Sequence, residues 1–188
     1  MLLDLLVIGL ALAAILLIVV YTAITGISPL PTGPAARALV IDSLPPVEQG
    51  TIVEAGSGWG GLAFRVARAR PRATVIGYEL SPLPWLISQL RRLLQPASNL
   101  HLYRRDLLRG RFQEVNVVVC YLHADAIADL EPKLRRELPE GALVISNTFR
   151  IPGWRPQHVR QARTRFDTPI YVYRVPDAYR PAAVDELL

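Results

Sequence analysis

Thr51-Ile52-Val53-Glu54-Ala55-Gly56-Ser57-Gly58-Trp59-Gly60-Gly61 is the stretch that decides the fold of this chain. Thr51, Ile52 and Val53 are β-branched and read as the end of a buried strand. A carboxylate and three alternating glycines follow at once, and Leu62-Ala63-Phe64-Arg65-Val66-Ala67 then begins a helical pattern. A strand feeding a glycine loop that opens a helix is the first unit of a nucleotide-binding α/β domain. Glycine lets such a turn be tight and lets the backbone approach a ligand, because no Cβ intervenes. The helix behind the loop offers N–H groups that lack partners within its own first turn.

Two patterns fit the loop. Gly56, Gly58 and Gly61 satisfy G-x-G-x-x-G, the spacing used to bind dinucleotides. Glu54, Gly56, Gly58 and Gly60 satisfy acidic-x-Gly-x-Gly-x-Gly, which resembles motif I of class I S-adenosylmethionine-dependent methyltransferases. The position of Glu54 separates the two. A dinucleotide loop faces a pyrophosphate, and an anion beside it is unfavourable. S-adenosylmethionine carries a sulfonium and an ammonium and no phosphate, so a carboxylate is welcome there. A glycine-rich turn without any ligand is the third reading.

The chain has 188 residues, 51% of them hydrophobic, and a net charge of +5. Its mean hydropathy of +0.26 is high for a soluble domain, and the excess sits at the amino terminus. Residues 5–24 form an unbroken uncharged run, long enough to cross a bilayer as a helix. Thirteen of them are Leu, Ile or Val, which favours insertion by about 4 to 8 kcal/mol. A cleaved signal peptide, the rival, has a basic start and a shorter apolar core; here Asp4 is the only charged side chain before Arg37. The chain thus divides into an anchor at residues 1–25, a Pro- and Gly-broken linker at 26–34 and a domain at 35–188, large enough for one core. Basic residues follow the apolar run and none precede it, so the positive-inside rule places the domain on the cytoplasmic side. Cys120 is the sole cysteine, which rules out an intrachain disulfide and fits a reducing compartment. One cysteine and three scattered histidines give no zinc or iron ligand spacing.

Downstream, strands and helices alternate. Residues 35–43 read as a short helix closed by Pro45-Pro46, and the helix after the glycine loop ends near Pro71. Thr74-Val75-Ile76-Gly77-Tyr78-Glu79 is a second buried strand ending in a carboxylate. Glu79 lies nineteen residues beyond Gly60, where a Rossmann-type domain places the acid that binds ribose hydroxyls; a solvated strand-end charge is the plainer reading. The helix over residues 81–95 has a proline near its start, where the missing N–H costs nothing. Leu83, Leu86, Ile87, Leu90, Leu93 and Leu94 form its apolar face, with Trp85, Arg91 and Arg92 elsewhere. Leu100-His101-Leu102-Tyr103-Arg104 alternates as a strand does. Asp106, just after it, either accepts from an adenine amino group or is an ordinary loop acid. Val115-Asn116-Val117-Val118-Val119-Cys120-Tyr121-Leu122 is a fully buried strand. Residues 125–138 are a helix stopped by Pro139 and Gly141, and Ala142-Leu143-Val144-Ile145-Ser146-Asn147-Thr148 is a fifth strand. Residues 159–166 and 170–175 form a final antiparallel pair. The expected fold is α/β: a Rossmann-like, mostly parallel, doubly wound sheet with an antiparallel edge hairpin, preceded by one transmembrane helix.

Four stretches together carry a resemblance: Glu54-Ala55-Gly56-Ser57-Gly58-Trp59-Gly60; Gly77-Tyr78-Glu79-Leu80-Ser81-Pro82; Val119-Cys120-Tyr121-Leu122; and Ser146-Asn147-Thr148-Phe149 with Pro152-Gly153-Trp154. They resemble the membrane-anchored protein-lysine N-methyltransferases that include the enzymes modifying the mitochondrial ATP synthase c-subunit and the adenine nucleotide translocase, with their prokaryotic relatives. The chain departs from them at His123-Ala124, where a bulkier apolar residue and a proline are expected. The resemblance implies a class I methyltransferase fold, S-adenosylmethionine as cofactor and a protein substrate, plausibly in a membrane, which in a eukaryote is mitochondrial. Nucleic acid is not an expected partner. The cofactor residues it implies are Glu54-Ala55-Gly56-Ser57-Gly58 with Gly60 at the loop, and Glu79-Leu80, Asp106-Leu107 and Tyr121 after the next strands.

Tyr121, His123 and Asn147 fall at carboxyl ends of strands, where such sheets bind ligands. Tyr121 is expected to line the channel by the sulfonium and Asn147 to orient the acceptor. His123 either relays a proton or serves as a structural hydrogen-bonding residue. Trp154 either walls the substrate channel, where its face attracts a cation, or packs in the core. A lysine acceptor has a reference pKa of about 10.4, so it must lose a proton first, and a desolvated apolar channel favours the neutral amine. No Asn/Asp-Pro-Pro-Tyr element ends the fourth strand, unlike the enzymes that methylate amino groups of DNA adenine and of glutamine. Three alternatives stay open. An NAD-dependent oxidoreductase is disfavoured by Glu54. A non-catalytic tethered module would use its arginines on anionic lipid. A nucleic-acid methyltransferase is suggested by a pI of ≈ 9.8, which basic charge at a cytoplasmic membrane face explains equally.

Overall fold

The alternating and β-branched runs become seven strands of one sheet in the computed structural model, which describes residues 1–25, 32–46, 49–163 and 167–179. The strands are β1 (Thr51–Ala55), β2 (Thr74–Glu79), β3 (Leu100–Arg104), β4 (Val115–Cys120), β5 (Leu143–Asn147), β6 (His158–Ala162) and β7 (Thr168–Arg174). Their order is β3-β2-β1-β4-β5-β7-β6. The first five are mutually parallel, and β7 runs antiparallel to both β5 and β6.

The expected antiparallel edge hairpin exists as β6 and β7, with its second strand on the inner side. β7 inserts between β5 and β6, so β6 is the edge and runs with the first five strands. Composition explains the choice. β7 buries Ile170, Val172 and Tyr173, whereas β6 buries only Ala162 and leaves Val159 exposed. The more apolar strand takes the inner place. The far end of the expected sixth strand, residues 164–166, lies outside the described residues, as do 26–31 of the expected linker and 180–188 of the tail.

Period-2 alternation sends each inner strand's side chains into two cores. From β4, Val117 and Val119 enter one, while Val118 and Cys120 enter the other. The first core is closed by α2 (Pro34–Ser43) and α3 (Ala63–Ala69), through residues such as Val40, Phe64 and Val66. The second is closed by α5 (Ala124–Glu137), through Ile127, Leu130 and Leu134. Burying one such side chain is worth about 1.5 to 3 kcal/mol. Along α5 run the ion pairs Glu131–Arg135 at 2.7 Å and Lys133–Glu137 at 2.8 Å, both at the i, i+4 spacing.

Two helices depart from the rule that apolar residues go inward. α1 (Leu2–Thr25) is long and apolar enough to cross a membrane, with a mean hydropathy of 3.0, and it stands outside the core. α4 (Pro82–Leu94) packs on β2 and β3 with its polar side. Pro84 and Ser88 are its buried residues, and the Trp85 and Gln89 side chains donate to the Leu102 carbonyl at 3.4 and 2.9 Å. The apolar face read from the sequence looks away from the sheet: Leu86, Ile87, Leu90, Leu93 and Leu94 are all exposed.

Candidate active site

The glycine loop is pinned to the end of β2. The N–H groups of Gly56 and Ser57 both donate to the Tyr78 carbonyl, at 3.0 and 2.8 Å. Gly56 has φ +78°, and a Cβ there would lie 2.8 Å from Leu122 Cδ2. Position 77 also requires glycine, for a reason the motif does not contain. A Cβ on Gly77 would meet Leu102 at 2.7 Å and Ser57 at 2.9 Å, so the bare backbone of β2 is what lets the loop settle.

The loop and the carboxyl ends of β1, β2 and β4 border a cleft of ≈ 580 Å³. This is the size of a ligand pocket and lies where α/β sheets bind ligands. Glu79 reaches across its floor. One carboxylate oxygen accepts from Gly58 N–H at 2.8 Å, and the other accepts from Ser81 N–H at 2.7 Å. Each oxygen keeps a second lone pair, so the carboxylate is held in place and can still receive two hydroxyls. Asp106 accepts from Leu108 N–H at 2.9 Å through Oδ1, which leaves Oδ2 for a ligand in the same cleft. Leu80 and Leu107 supply apolar walls.

Glu54 lies beneath the loop, buried, and lines the cleft. Ala63 N–H, at the start of α3, donates to its carboxyl. The helix N-terminus behind the loop is thus engaged by Glu54 and not left for an anion. The Oε2 atom has no partner among the described residues. Burial, with repulsion from Glu79, pushes the Glu54 carboxyl up from 4.5 to about 8. A buried acid bordering a cleft favours a cation over a second anion as ligand.

The sequence profile of the ANTKMT methyltransferase domain matches residues 54–158, more than half of the chain. The chain belongs to this family. The human lysine N-methyltransferase of the ATP synthase c-subunit is 35% identical over 114 residues, which are 59% of this chain and 47% of that protein. The mouse lysine N-methyltransferase of the adenine nucleotide translocase is 33% identical over 110 residues, 57% of this chain and 47% of that protein. The chain therefore spans about half the length of these curated relatives. A protein-lysine N-methyltransferase of Saccharolobus islandicus (strain REY15A) is 38% identical over 61 residues, 30% of this chain and 38% of that protein. Among solved structures, an RNA methyltransferase from Salinibacter ruber with bound S-adenosyl-L-homocysteine superposes with a TM-score of 0.70. It is 22% identical and covers 84% of this chain and 100% of that one. At that identity it shows the shared Rossmann-like methyltransferase fold alone.

In this ANTKMT-family domain the expected site residues do not all converge. Glu54, Gly56, Ser57 and Gly58 line the cleft, as do the residues expected after β2 and β3 and Tyr121 after β4. Ala55 and Gly60 do not. Ala55 is core, and Gly60 backs onto Phe64 and Ser88, 3.1 and 3.2 Å from a Cβ built there. His123 caps α5: its Nδ1 accepts from Asp125 N–H at 3.2 Å, and the ring is not part of the lining. Capping engages Nδ1 alone, and Nε2 is buried without a partner among the described residues. Asn147 is buried at the end of β5, next to Thr148 with φ +71°. β4 and β5 pair with Cys120 opposite Ser146, so Asn147 follows beside Tyr121, behind the lining rather than in it.

Trp154 packs in the second core and is not part of the cleft lining. It is 5% exposed, and its N–H donates to Glu131 at 2.7 Å. Tyr173 and Tyr179 pack against it, with centroids 5.8 and 5.0 Å away. Arg37 and Arg91 were not foreseen at the cleft. They converge on it from α2 and α4, with guanidinium nitrogens 3.4 and 3.9 Å from a Cβ built at Gly61. Arg37 Nε is buried without a partner among the described residues. No local pattern marks two arginines more than fifty positions apart as neighbours. Asp129, exposed on α5, adds a carboxylate to the lining.

Proposed function

We propose that the chain is an S-adenosylmethionine-dependent methyltransferase acting on a lysine side-chain amine of a protein at a membrane. In this reading α1 is the anchor, residues 26–34 are the linker, and the domain from residue 35 onward lies on the cytoplasmic side. The observation that carries the reading is Glu54. A buried acid under the glycine loop and at the edge of the cleft suits an ammonium or sulfonium and opposes a pyrophosphate. The lysine acceptor is supported by the family and by its named lysine N-methyltransferase relatives. The membrane is supported by α1.

When bound, S-adenosylmethionine supplies a methyl group on a sulfonium whose leaving group is already activated. The protein then has to hold and align. Glu79 would receive the ribose hydroxyls and Asp106 Oδ2 the adenine amino group. Tyr121, just after β4 and lining the same cleft as the loop and Asp129, would stand beside the transferring methyl. Asp129 can draw in a cationic lysine, and the apolar walls favour the neutral amine once it is seated. Alignment of this kind is worth roughly 7 to 11 kcal/mol.

Thermal shift of the purified full chain in detergent tests the donor class. S-adenosylhomocysteine should stabilise it and NADH should not; the reverse result refutes the reading. Incubating membranes with labelled donor, with and without the protein, then identifies the acceptor band. The chain itself should stay unlabelled. Its one lysine, Lys133, is buried and donates to both Glu137 oxygens at 2.8 Å.

Glu54 makes a second prediction. The free protein holds its proton at pH 7, because the carboxyl is raised to about 8. A cation binds the carboxylate, so binding below pH 8 must expel a proton. Calorimetry of S-adenosylhomocysteine at pH 7, in buffers of different ionisation enthalpy, should show up to one proton released per site, and Glu54→Gln should release none. Affinity should rise with pH up to about 8. Buffer-independent heats in the native chain would sink the assignment. A carboxyl raised by burial also costs the free protein stability as pH climbs from 4.5 to about 8.

Tyr121→Phe should lower kcat/KM about tenfold, as losing one orienting hydroxyl costs about 1.4 kcal/mol, with donor affinity unchanged. Full turnover would show the hydroxyl to be dispensable.

A further inference from the structure

The outward stripe on α4 has no use in the cleft. Leu83, Leu86, Ile87, Leu90, Leu93 and Leu94 fall on one 120° sector at about 100° per residue. The opposite sector, with Pro84 and Ser88, meets the sheet. Exposure rises toward the helix end, with Leu93 at 77% and Leu94 at 83%. Outside α1, five of the nine exposed large hydrophobics among the described residues lie on this one helix.

Two observations indicate what covers it. First, the stripe is continuous with α1. Leu17, Ile18 and Tyr21 of α1 line a small groove with Pro82, Leu83 and Pro84, so the carboxyl-terminal turns of the apolar helix rest on the first turn of α4. Second, the charge on α4 is basic. α4 carries Arg91 and Arg92 and no acid. Arg91 sits over the Phe64 ring at 4.9 Å. Burial, and then repulsion from Arg68, Arg37 and Arg65, pushes its pKa down. An apolar stripe with an exposed arginine, Arg92, on the polar side is the composition of a helix that lies in a bilayer interface, where a basic side chain is drawn to an anionic surface.

We infer that the Leu86–Leu94 face of α4 is seated in the interfacial layer of the bilayer that holds α1, so that the domain lies on the membrane instead of hanging from a free tether. This rests on the reading of α1 as an anchor. Leu80, which lines the cleft, precedes α4 by two residues, so the cleft then opens close to the lipid surface and takes its acceptor at that depth.

The test uses the full chain in vesicles of phosphatidylcholine and phosphatidylglycerol with doxyl-labelled acyl chains. Cys120, the only cysteine, is buried and its thiol is pushed up to about 11 by burial. An environment-sensitive dye can therefore be placed at Leu90→Cys, Leu94→Cys, Leu10→Cys or Glu140→Cys, with folding checked by circular dichroism. The expected result is severalfold stronger lipid quenching at 90 and 94 than at the exposed position 140. Quenching at 10 with none at 90 and 94, where aqueous iodide quenches instead, overturns the seating of α4 and leaves the anchor standing. No lipid quenching at 10 removes the anchor and this inference together. A dye at 90 shielded from both quenchers also overturns it, because a second copy or another protein then covers the face.

Discussion

Glu79→Ala should weaken S-adenosylhomocysteine binding at least about 100-fold by calorimetry, since two hydrogen bonds to a charged acceptor are worth roughly 3 kcal/mol or more. The loss has a second source. The same carboxylate accepts from Gly58 and Ser81 N–H groups, so its removal also releases the Gly58 part of the glycine loop, which stays tied to β2 at Gly56 and Ser57, and raises the cost of ordering it on binding. Glu79→Gln keeps the shape but turns one acceptor into a donor, and should fall between the native chain and the alanine variant. The domain should remain folded, because Glu79 is only partly buried. Unchanged affinity in the alanine variant would remove the ribose assignment and, with it, the floor of the proposed site.

A comparable loss, of stability and not of binding, is expected from Trp154→Ala. Truncating a buried tryptophan costs about 3 to 5 kcal/mol, a fall in Tm of roughly 6 to 20 °C for a domain of this size. Here the cavity would open between Tyr173 and Tyr179, and Glu131 would lose a donor. Trp154→Phe should recover most of the packing but not the hydrogen bond to Glu131. Denaturant unfolding measures both, and acceptor KM below the transition should stay near native. An unchanged midpoint with a raised KM would return Trp154 to the channel.

Much of the site was legible because its logic is local. Glu54, the glycines and Glu79 stand at strand ends that composition alone marks, and the topology of a doubly wound sheet gathers such ends on one edge. Asp106 and Tyr121 were legible for the same reason, and both line the cleft. His123 was ambiguous because the same ring can relay a proton or cap a helix, and the tertiary structure adds the cap through Nδ1 to Asp125 N–H. Arg37 and Arg91 were invisible because two helices far apart in sequence had to meet over Gly61 before either could be seen at the loop.

The residues by themselves determined the strand and helix succession, the glycine turn, the acid that follows each of the first three strands, and an apolar helix fit to cross a membrane. These depend on backbone preference and on side-chain period, which the chain carries within a few neighbours. The tertiary structure alone decided that β7 slips inside β6, that Trp154 belongs to the core, and that α4 turns its leucines away from the sheet. Period states which residues share a face. It does not state what that face will meet, because a stripe bound for a core, a partner or a lipid has the same spacing and the same chemistry.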